Sequence, residues 1–411
     1  MSELSYLEKL LDGVKVEWLP LGEITKYEQP TKYLVKAKDY HDTYTIPVLT
    51  AGKTFILGYT NETHGIYQAS KAPVIIFDDF TTANKWVDFD FKAKSSAMKM
   101  VTSCDDNKIL LKYVYYWLNT LPSEFAEGDH KRQWISNYSQ KKIPIPCPDN
   151  PEKSLAIQSE IVRILDKFTA LTAELTAELN MRKKQYNYYR DQLLSFKEGE
   201  VEWKSLGEIA TKIYSGGTPD TKRIDYWENG TIPWMSSGEV NLKNIERTEK
   251  YITEAGLNNS SAKLVPKNSV VIALAGQGKT RGKVARIRIA LTTNQSLAAL
   301  TFDEKKFSSD YVFHFLETQY ESLRQISSGN SGRGGLNLQM ISAYKIPIPC
   351  PDNPEKSLAI QSEIVRILDK FDTLTNSITE GLPREIELRQ KQYEYYRDLL
   401  FSFPKPETAS N

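Results

Sequence analysis

Cysteine is almost missing from this chain. Cys104, Cys147 and Cys350 are the three among 411 residues, and no two of them form a C-x-x-C pair, which argues against zinc and against a disulfide framework and leaves a reducing compartment as the natural setting. Histidine is equally sparse: His41, His64, His130 and His314 are scattered, without spaced acidic or thiol partners. They suit surface or core positions better than catalysis. No long apolar run occurs, and the opening stretch MSELSYLEKLLDG is short and charged, so neither a signal peptide nor a membrane span is expected and the protein reads as cytoplasmic. An excess of one charge is lacking too. With 53 basic and 52 acidic residues the net charge is +1, so any nucleic-acid footprint must be local.

What is present is enough for a large soluble protein. The chain is 40% apolar and 26% charged, and its length exceeds one ordinary core, so two or three domains are expected. Self-similarity then organises it. Residues 142–168, KIPIPCPDNPEKSLAIQSEIVRILDKF, recur unchanged at 345–371. VEWLPLGEI (16–24) is echoed by VEWKSLGEI (201–209), IPVLTAGK (46–53) by IPWMSSGE (232–239), VIIFDD (74–79) by VVIALA (270–275), and YVYYWL (113–118) by YVFHFL (311–316). The chain is a variable unit, a fixed segment, a second variable unit, and the fixed segment again.

Each fixed segment opens with alternating prolines, which forbid helix, and then turns at Asn-Pro into a long helical pattern. In the first copy Ile157, Ile161, Ile164, Phe168, Leu171 and Leu175 form a coiled-coil seam. After a stutter at Leu179 the seam resumes at Tyr186, Tyr189, Leu193 and Phe196. The second copy runs from Ile360 to Phe403, and Gly381 with Pro383 should kink it. The expected fold is therefore α+β: two similar mixed α/β domains joined by two long helices packed as an antiparallel coiled coil, with pseudo-twofold, circular organisation. The boundaries are a short amino-terminal helix at 1–13, globular domains at 14–145 and 200–348, connectors with long helices at 146–199 and 349–403, and a disordered tail at 404–411.

ALAGQGKTRG (273–282) fits a loose P-loop template, but the internal match argues against nucleotide binding. Its opening strand aligns with VIIFDD, which would be the Mg²⁺-presenting strand, and one element cannot be both. A P-loop also needs a helix directly after Gly-Lys-Thr. TRGKVARIRIALTT follows instead, and its alternation reads as a strand. No catalytic residue and no metal ligand is assigned to this chain.

Two stretches carry the chemistry of DNA contact. From 255 to 302 there is no Asp or Glu, while Lys263, Lys267, Lys279, Arg281, Lys283, Arg286 and Arg288 occur. A basic, Gly-containing hairpin there suits phosphates and a DNA groove; a solvated charged face is the plainer alternative. The second stretch precedes each IPIP marker: GDHKRQWI (128–135) and GNSGRGGLNLQMI (329–341). Arg, Lys, Gln and Asn make bidentate contacts to base edges, so Lys131, Arg132, Gln133, Arg333, Asn337 and Gln339 join Lys279, Arg281, Lys283 and Arg286 as candidate DNA-binding residues. Helix capping by Asn337 or Gln133 competes with that role.

The whole chain resembles the specificity subunit of a type I restriction–modification system. The resemblance is carried by the repeated IPIPCPDNPEKSLAIQSEIVRILDKF, by RKKQYNYYRDQLLSF (182–196) with RQKQYEYYRDLLFSF (389–403), and by WMSSGEVN (234–241) and GKTFILGYT (52–60). It implies two target-recognition domains, each reading half of a split site on double-stranded DNA, and two modification subunits that supply S-adenosylmethionine chemistry on adenine. It also implies restriction subunits that use ATP and Mg²⁺. This chain itself would hold no cofactor and touch no membrane. The competing class is a coiled-coil interaction scaffold that touches no DNA; duplex affinity that falls steeply with salt separates the two.

Overall fold

The repeated markers pair with one another. In the computed structural model, which describes residues 6–36, 40–52, 54–122, 132–197, 199–276, 280–327 and 335–405, β1 (Val16–Pro20) runs antiparallel to β9 (Lys142–Pro146), and β10 (Val201–Ser205) to β20 (Lys345–Pro349). The register repeats, with Trp18 opposite Pro144 and Trp203 opposite Pro347. Pro144 and Pro146 have no N–H, and residues two apart face the same strand edge, so each ribbon ends at two strands. The LGEI stretches that follow form one-turn helices, α2 (Leu21–Ile24) and α6 (Leu206–Ile209).

The chain forms two compact units, residues 1–177 with 384–411, and residues 178–383. Both divisions fall inside the long helical segments. In the first unit the larger sheet has the order β2 (Thr25–Glu28), β8 (Met98–Ser103), β5 (Val74–Asp78), β6 (Asn84–Val87). A smaller one has β4 (Ile56–Thr60), β3 (Ile46–Leu49), β7 (Lys92–Ala93). The second unit repeats this order. Its larger sheet is β11 (Ala210–Ser215), β19 (Leu297–Phe302), β16 (Ser269–Ala273), β17 (Val284–Ile287), β13 (Asn244–Ile245). Its smaller sheet is β14 (Lys250–Ile252), β12 (Ile232–Met235), β18 (Leu291–Thr293), β15 (Leu264–Val265), with α7 (Glu254–Asn258) beside it. The parallel pairs β3–β7 and β12–β18 correspond as well.

The central strands explain their own sequences. VIIFD and SVVIA are buried at every position because each strand is covered on both faces. Ile75 and Phe77 join the core beneath α3 (Leu111–Leu118), whereas Val74 and Ile76 join the core under the smaller sheet. Val270 and Ile272 likewise face α8 (Ser309–Thr318), while Val271 and Ala273 face the other side. Each unit is thus layered as helix, large sheet and small sheet.

The long helices begin as the Asn-Pro turn demands. The Asn150 side chain accepts the Lys153 N–H at 3.0 Å to start α5 (Pro151–Leu193), and Asn353 accepts that of Lys356 at 3.0 Å to start α11 (Pro354–Asn376). In the first unit the start of α5 packs antiparallel on the end of α12 (Gly381–Leu400): Phe168 stacks on Tyr396 at 5.3 Å, and Ile157 and Ile161 share a core with Leu400, Phe401 and Phe403. Helix α1 (Tyr6–Leu11) covers that groove with Leu7 and Leu11, and the Tyr6 hydroxyl donates to Glu160. In the second unit the end of α5 packs on α11, with Tyr189 stacked on Phe371 at 5.7 Å. The seam is buried near the ends of α5 and thins between them, where Leu171 is exposed. The kink expected at Gly381 is a full break over residues 377–380. Gly381 has φ 78°, and a Cβ there would lie 2.4 Å from the Thr373 carbonyl oxygen, so only glycine fits. No helix among the described residues is long and apolar enough to cross a membrane.

Candidate nucleic-acid interface

The basic segment of the second unit is the expected hairpin. β16 and β17 pair antiparallel down to Ile272 opposite Val284, and residues 274–283 connect them. Two glycines allow the reversal, Gly276 at φ 97° and Gly282 at φ 82°. The Thr280 hydroxyl donates to the Ala275 carbonyl at 2.9 Å, and the Thr280 and Arg281 amides both donate to the Gly276 carbonyl, at 3.0 and 3.1 Å. In a P-loop that threonine hydroxyl would serve Mg²⁺ and a helix would follow; here the hydroxyl closes a turn and a strand follows. Lys279 lies outside the described residues. Lys283 donates to the Asn241 side chain at 2.6 Å, and Arg281 to the Ser327 hydroxyl at 3.1 Å.

The second candidate stretch meets this hairpin. Ser327 ends α9 (Tyr320–Ile326), and Leu336, just before α10 (Leu338–Ala343), donates its N–H to the Leu274 carbonyl at 3.2 Å. Segments that start about 60 residues apart in the chain are therefore bonded at one sheet end. Arg333 lies outside the described residues. Asn337 is exposed and caps α10, its side chain accepting the Met340 N–H at 2.9 Å. Gln339 is exposed on the first turn of that helix.

The first unit builds the same junction from different residues. The Asp79 backbone carbonyl accepts the Gln133 N–H at 2.8 Å, and its carboxylate accepts the Trp134 N–H at 2.8 Å. These bonds tie the end of β5 to α4 (Gln133–Ser136). Asp79 is fully buried, 3.3 Å from the equally buried Lys99 ammonium, so it is an internal anchor. Asp78 accepts the amides of Phe80 and Thr81 at 2.9 and 3.3 Å. The connection from β5 to β6 is consequently a tight turn, where the second unit has a basic loop. Arg132 is exposed at the start of α4, and Gln133 is half-buried, accepting from Asn137 at 3.4 Å. Lys131 lies outside the described residues.

Arg286 departs from expectation. It is 5% exposed, and its guanidinium bonds the Asn244 side chain and the Asp369 carboxylate, the latter at 2.7 Å, while lying 4.9 Å from the Phe313 ring centroid. It faces the helix layer, and its guanidinium is committed there. Arg288 pairs with Asp310 at 3.0 Å. Two of the seven cations in the acid-free stretch are thus neutralised by acids from outside it.

Sequence reasoning missed the side chains that seat each domain on its connector. Gln158 is fully buried, accepting the Leu110 N–H and donating to the Lys108 carbonyl, both at 2.9 Å; Gln361, its repeat, accepts the Ser308 N–H at 3.0 Å. The Tyr113 and Tyr311 hydroxyls donate to the Pro144 and Pro347 carbonyls at 2.7 and 2.8 Å. Asp166 accepts from Tyr116 and Lys112, and its repeat Asp369 from His314 and Arg286. Burial alone would raise the Asp369 carboxyl, but the His314 hydrogen bond and the Arg286 charge outweigh it and hold it below the ordinary carboxylate range. The signal available in the sequence was the identity of the repeat itself: a buried Gln and an Asp at fixed helical spacing in both copies.

Comparison with known proteins agrees with this architecture. A family model described as the type I restriction modification DNA specificity domain matches residues 14–182 and again 198–388. The chain is 71% identical to the type I restriction enzyme EcoR124I/EcoR124II specificity subunit of Escherichia coli, covering 100% of both chains. It is 36% identical to the EcoprrI specificity subunit of the same organism, covering 92% of this chain and 93% of that one. Among solved structures, the S subunit of a type I restriction–modification system from M. genitalium superposes with a TM-score of 0.61 at 14% identity, covering 96% of this chain and 98% of that one. A chain from a structure of type I complex assembly and conformational transition gives 0.53 at 15% identity, with 94% and 97% covered; at such identities these two likenesses speak for the fold alone. A specificity domain matched twice, a full-length relative and the duplicated fold agree: the chain belongs to the type I restriction–modification specificity subunits, which recognise a DNA target and are not themselves catalytic.

Proposed function

We propose that this subunit reads a bipartite target on double-stranded DNA, one half-site per unit, and directs adenine methylation or restriction by partner subunits. The observation that carries the reading is the duplication: two units of one topology, with different chemistry at corresponding sheet ends, are seated on identical connectors. Such a design performs one operation twice on different sequences. The basic loop at 274–283 and the stretches before α4 and α10 are where base edges and phosphates would be met. Two modification subunits would bind S-adenosylmethionine, and restriction subunits would supply ATP- and Mg²⁺-dependent cleavage in the cytoplasm; this chain holds none of these cofactors.

The test is to express the chain with its modification partner and sequence methylated adenines across the host genome. Two short motifs at a fixed separation, absent without this chain, are expected. Duplex binding by the complex should weaken steeply with salt as phosphate contacts release counterions. A complex that assembles but neither binds duplex nor methylates a defined motif would leave the scaffold role in possession.

A further inference from the structure

The 27-residue connector is identical in both units, yet one of its side chains has different partners in each. Asp166 is held by a single element: the Lys112 ammonium at 2.9 Å and the Tyr116 hydroxyl at 2.5 Å, both from α3. Its repeat Asp369 is shared by two. His314 of α8 reaches it with Nε2 at 2.8 Å, and Arg286 of β17 with Nη1 at 2.7 Å. A carboxylate can only accept, so Nε2 of His314 carries the proton. Arg286 also bonds Asn244 of β13 and lies 3.5 Å from the Asp310 carboxylate. This cluster is a strut from α11, past α8, into the large sheet.

The strut ends at the root of the basic loop. Lys283 lies three residues before Arg286 and Arg281 five. Because a planar guanidinium with several directional partners cannot shift along the strand without breaking bonds, the position of β17 is tied to the connector. Among the described residues the first unit has no such tie through a strand. Val270 pairs with Arg286 where Val74 pairs with Val87, so a valine stands at the corresponding place.

We propose that Asp369 and Arg286 are positioning residues for DNA reading by the second unit: they fix β17 to α11 and so hold Arg281 and Lys283, just before that strand, in register with their half-site. This rests on the bipartite reading above. Asp166, bonded among the described residues to α3 alone, has a purely structural part.

The test compares Asp369→Asn with Asp166→Asn, each in the full chain assembled with the modification partner. Methylation is measured on the cognate site and on sites with one base changed in either half. A mismatched base pair costs roughly 5- to 150-fold in binding. Asp369→Asn should cut discrimination in the second unit's half-site about tenfold, or about 1.4 kcal/mol, with the other half-site unaffected. Arg286→Lys keeps the charge without the fork and should relax the same half-site, whereas Asp369→Glu should recover part of the loss. Asp166→Asn should lower the melting temperature and leave discrimination at both half-sites intact. The proposal is overturned if Asp369→Asn behaves like Asp166→Asn, or if both half-sites relax together. No cognate preference in the unaltered complex would overturn the bipartite reading itself, and this proposal with it.

Discussion

The tandem TAELTAEL at 172–179 gives the sharpest test of how the two units cooperate. It lies wholly within α5, and the boundary between the compact units falls inside it, after Ala177. The Thr172 and Thr176 hydroxyls each donate to the carbonyl four residues back, at 2.9 and 2.7 Å. An added TAEL can repeat that bond and continue the helix, since Ala, Glu and Leu are good helix formers. Four residues at 1.5 Å and 100° each add about 6 Å of rise and about 40° of rotation. One base pair advances about 3.4 Å and turns about 35°. Rotation therefore matches one base pair and translation nearly two. Inserting one TAEL should lengthen the gap between half-sites by one or two base pairs and leave the half-sites themselves unchanged; deleting one should shorten it likewise. The other long segment can follow, because it is already interrupted at 377–380. Sequencing methylated sites from both variants and the unaltered chain measures the gap directly. A gap that stays constant would refute the idea that α5 sets the spacing.

Other outcomes follow from single residues. Lys279→Ala should leave nucleotide affinity of the assembled complex unchanged and weaken DNA binding, with the salt slope smaller by about one counterion; loss of nucleotide affinity with DNA binding intact would contradict the hairpin reading. Exchanging residues 14–142 for the corresponding part of a different specificity subunit should change one half-site only, as read by methylome mapping. Gln158→Ala should destabilise the first unit by roughly 1–3 kcal/mol, since it removes two hydrogen bonds to part-buried backbone groups at about 0.5–1.5 kcal/mol each; urea denaturation followed by tryptophan fluorescence measures it. The depressed Asp369 carboxyl gives a pH dependence: its stabilisation is complete above its unfolded pKa of about 3.9 and is lost as pH falls through its lower folded value. Acid titration of melting temperature should therefore steepen below about pH 4, and Asp369→Asn should flatten that limb.

Much of the fold was legible because period and punctuation survive in one sequence. The apolar runs VIIF and VVIALA announced strands, alternating prolines an extended piece before each long helix, and Asn-Pro the helix starts. The P-loop look-alike gave way to the same pattern, since VARIRIA alternates as a strand does. That alternation also misled. Arg286 in β17 and Arg288 just past its end alternate onto one face, and a polar face normally meets solvent; here β17 is covered on both sides, and the acids that meet Arg286, Asp310 and Asp369, lie 24 and 83 residues from it. Nothing local signals partners so distant. The full break before Gly381 was foreshadowed by Gly381 and Pro383, but its extent depends on how tightly Gly381 lies against the Thr373 and Leu374 carbonyls.

The connector must seat two divergent domains with one sequence, and the bonding shows how. Gln158 and Gln361 accept backbone N–H groups, and Pro144 and Pro347 offer backbone carbonyls to tyrosines that occur in both units. The glutamine bonds use domain N–H groups, which are present whatever side chains a domain carries, whereas the bonds to the proline carbonyls require a tyrosine, which both units keep. The aspartate is different, because its side-chain partners change between the units: Lys112 and Tyr116 in one, Arg286 and His314 in the other. Neither pair resembles the other in shape, yet each gives the carboxylate one side chain that is a cation or can become one, and a second donor. Charge and donor count are what a half-buried carboxylate requires, and geometry beyond that is open. A domain can therefore diverge freely where it meets DNA, provided it keeps the tyrosine for the proline carbonyl and brings two donors, at least one of them basic, to this one carboxylate.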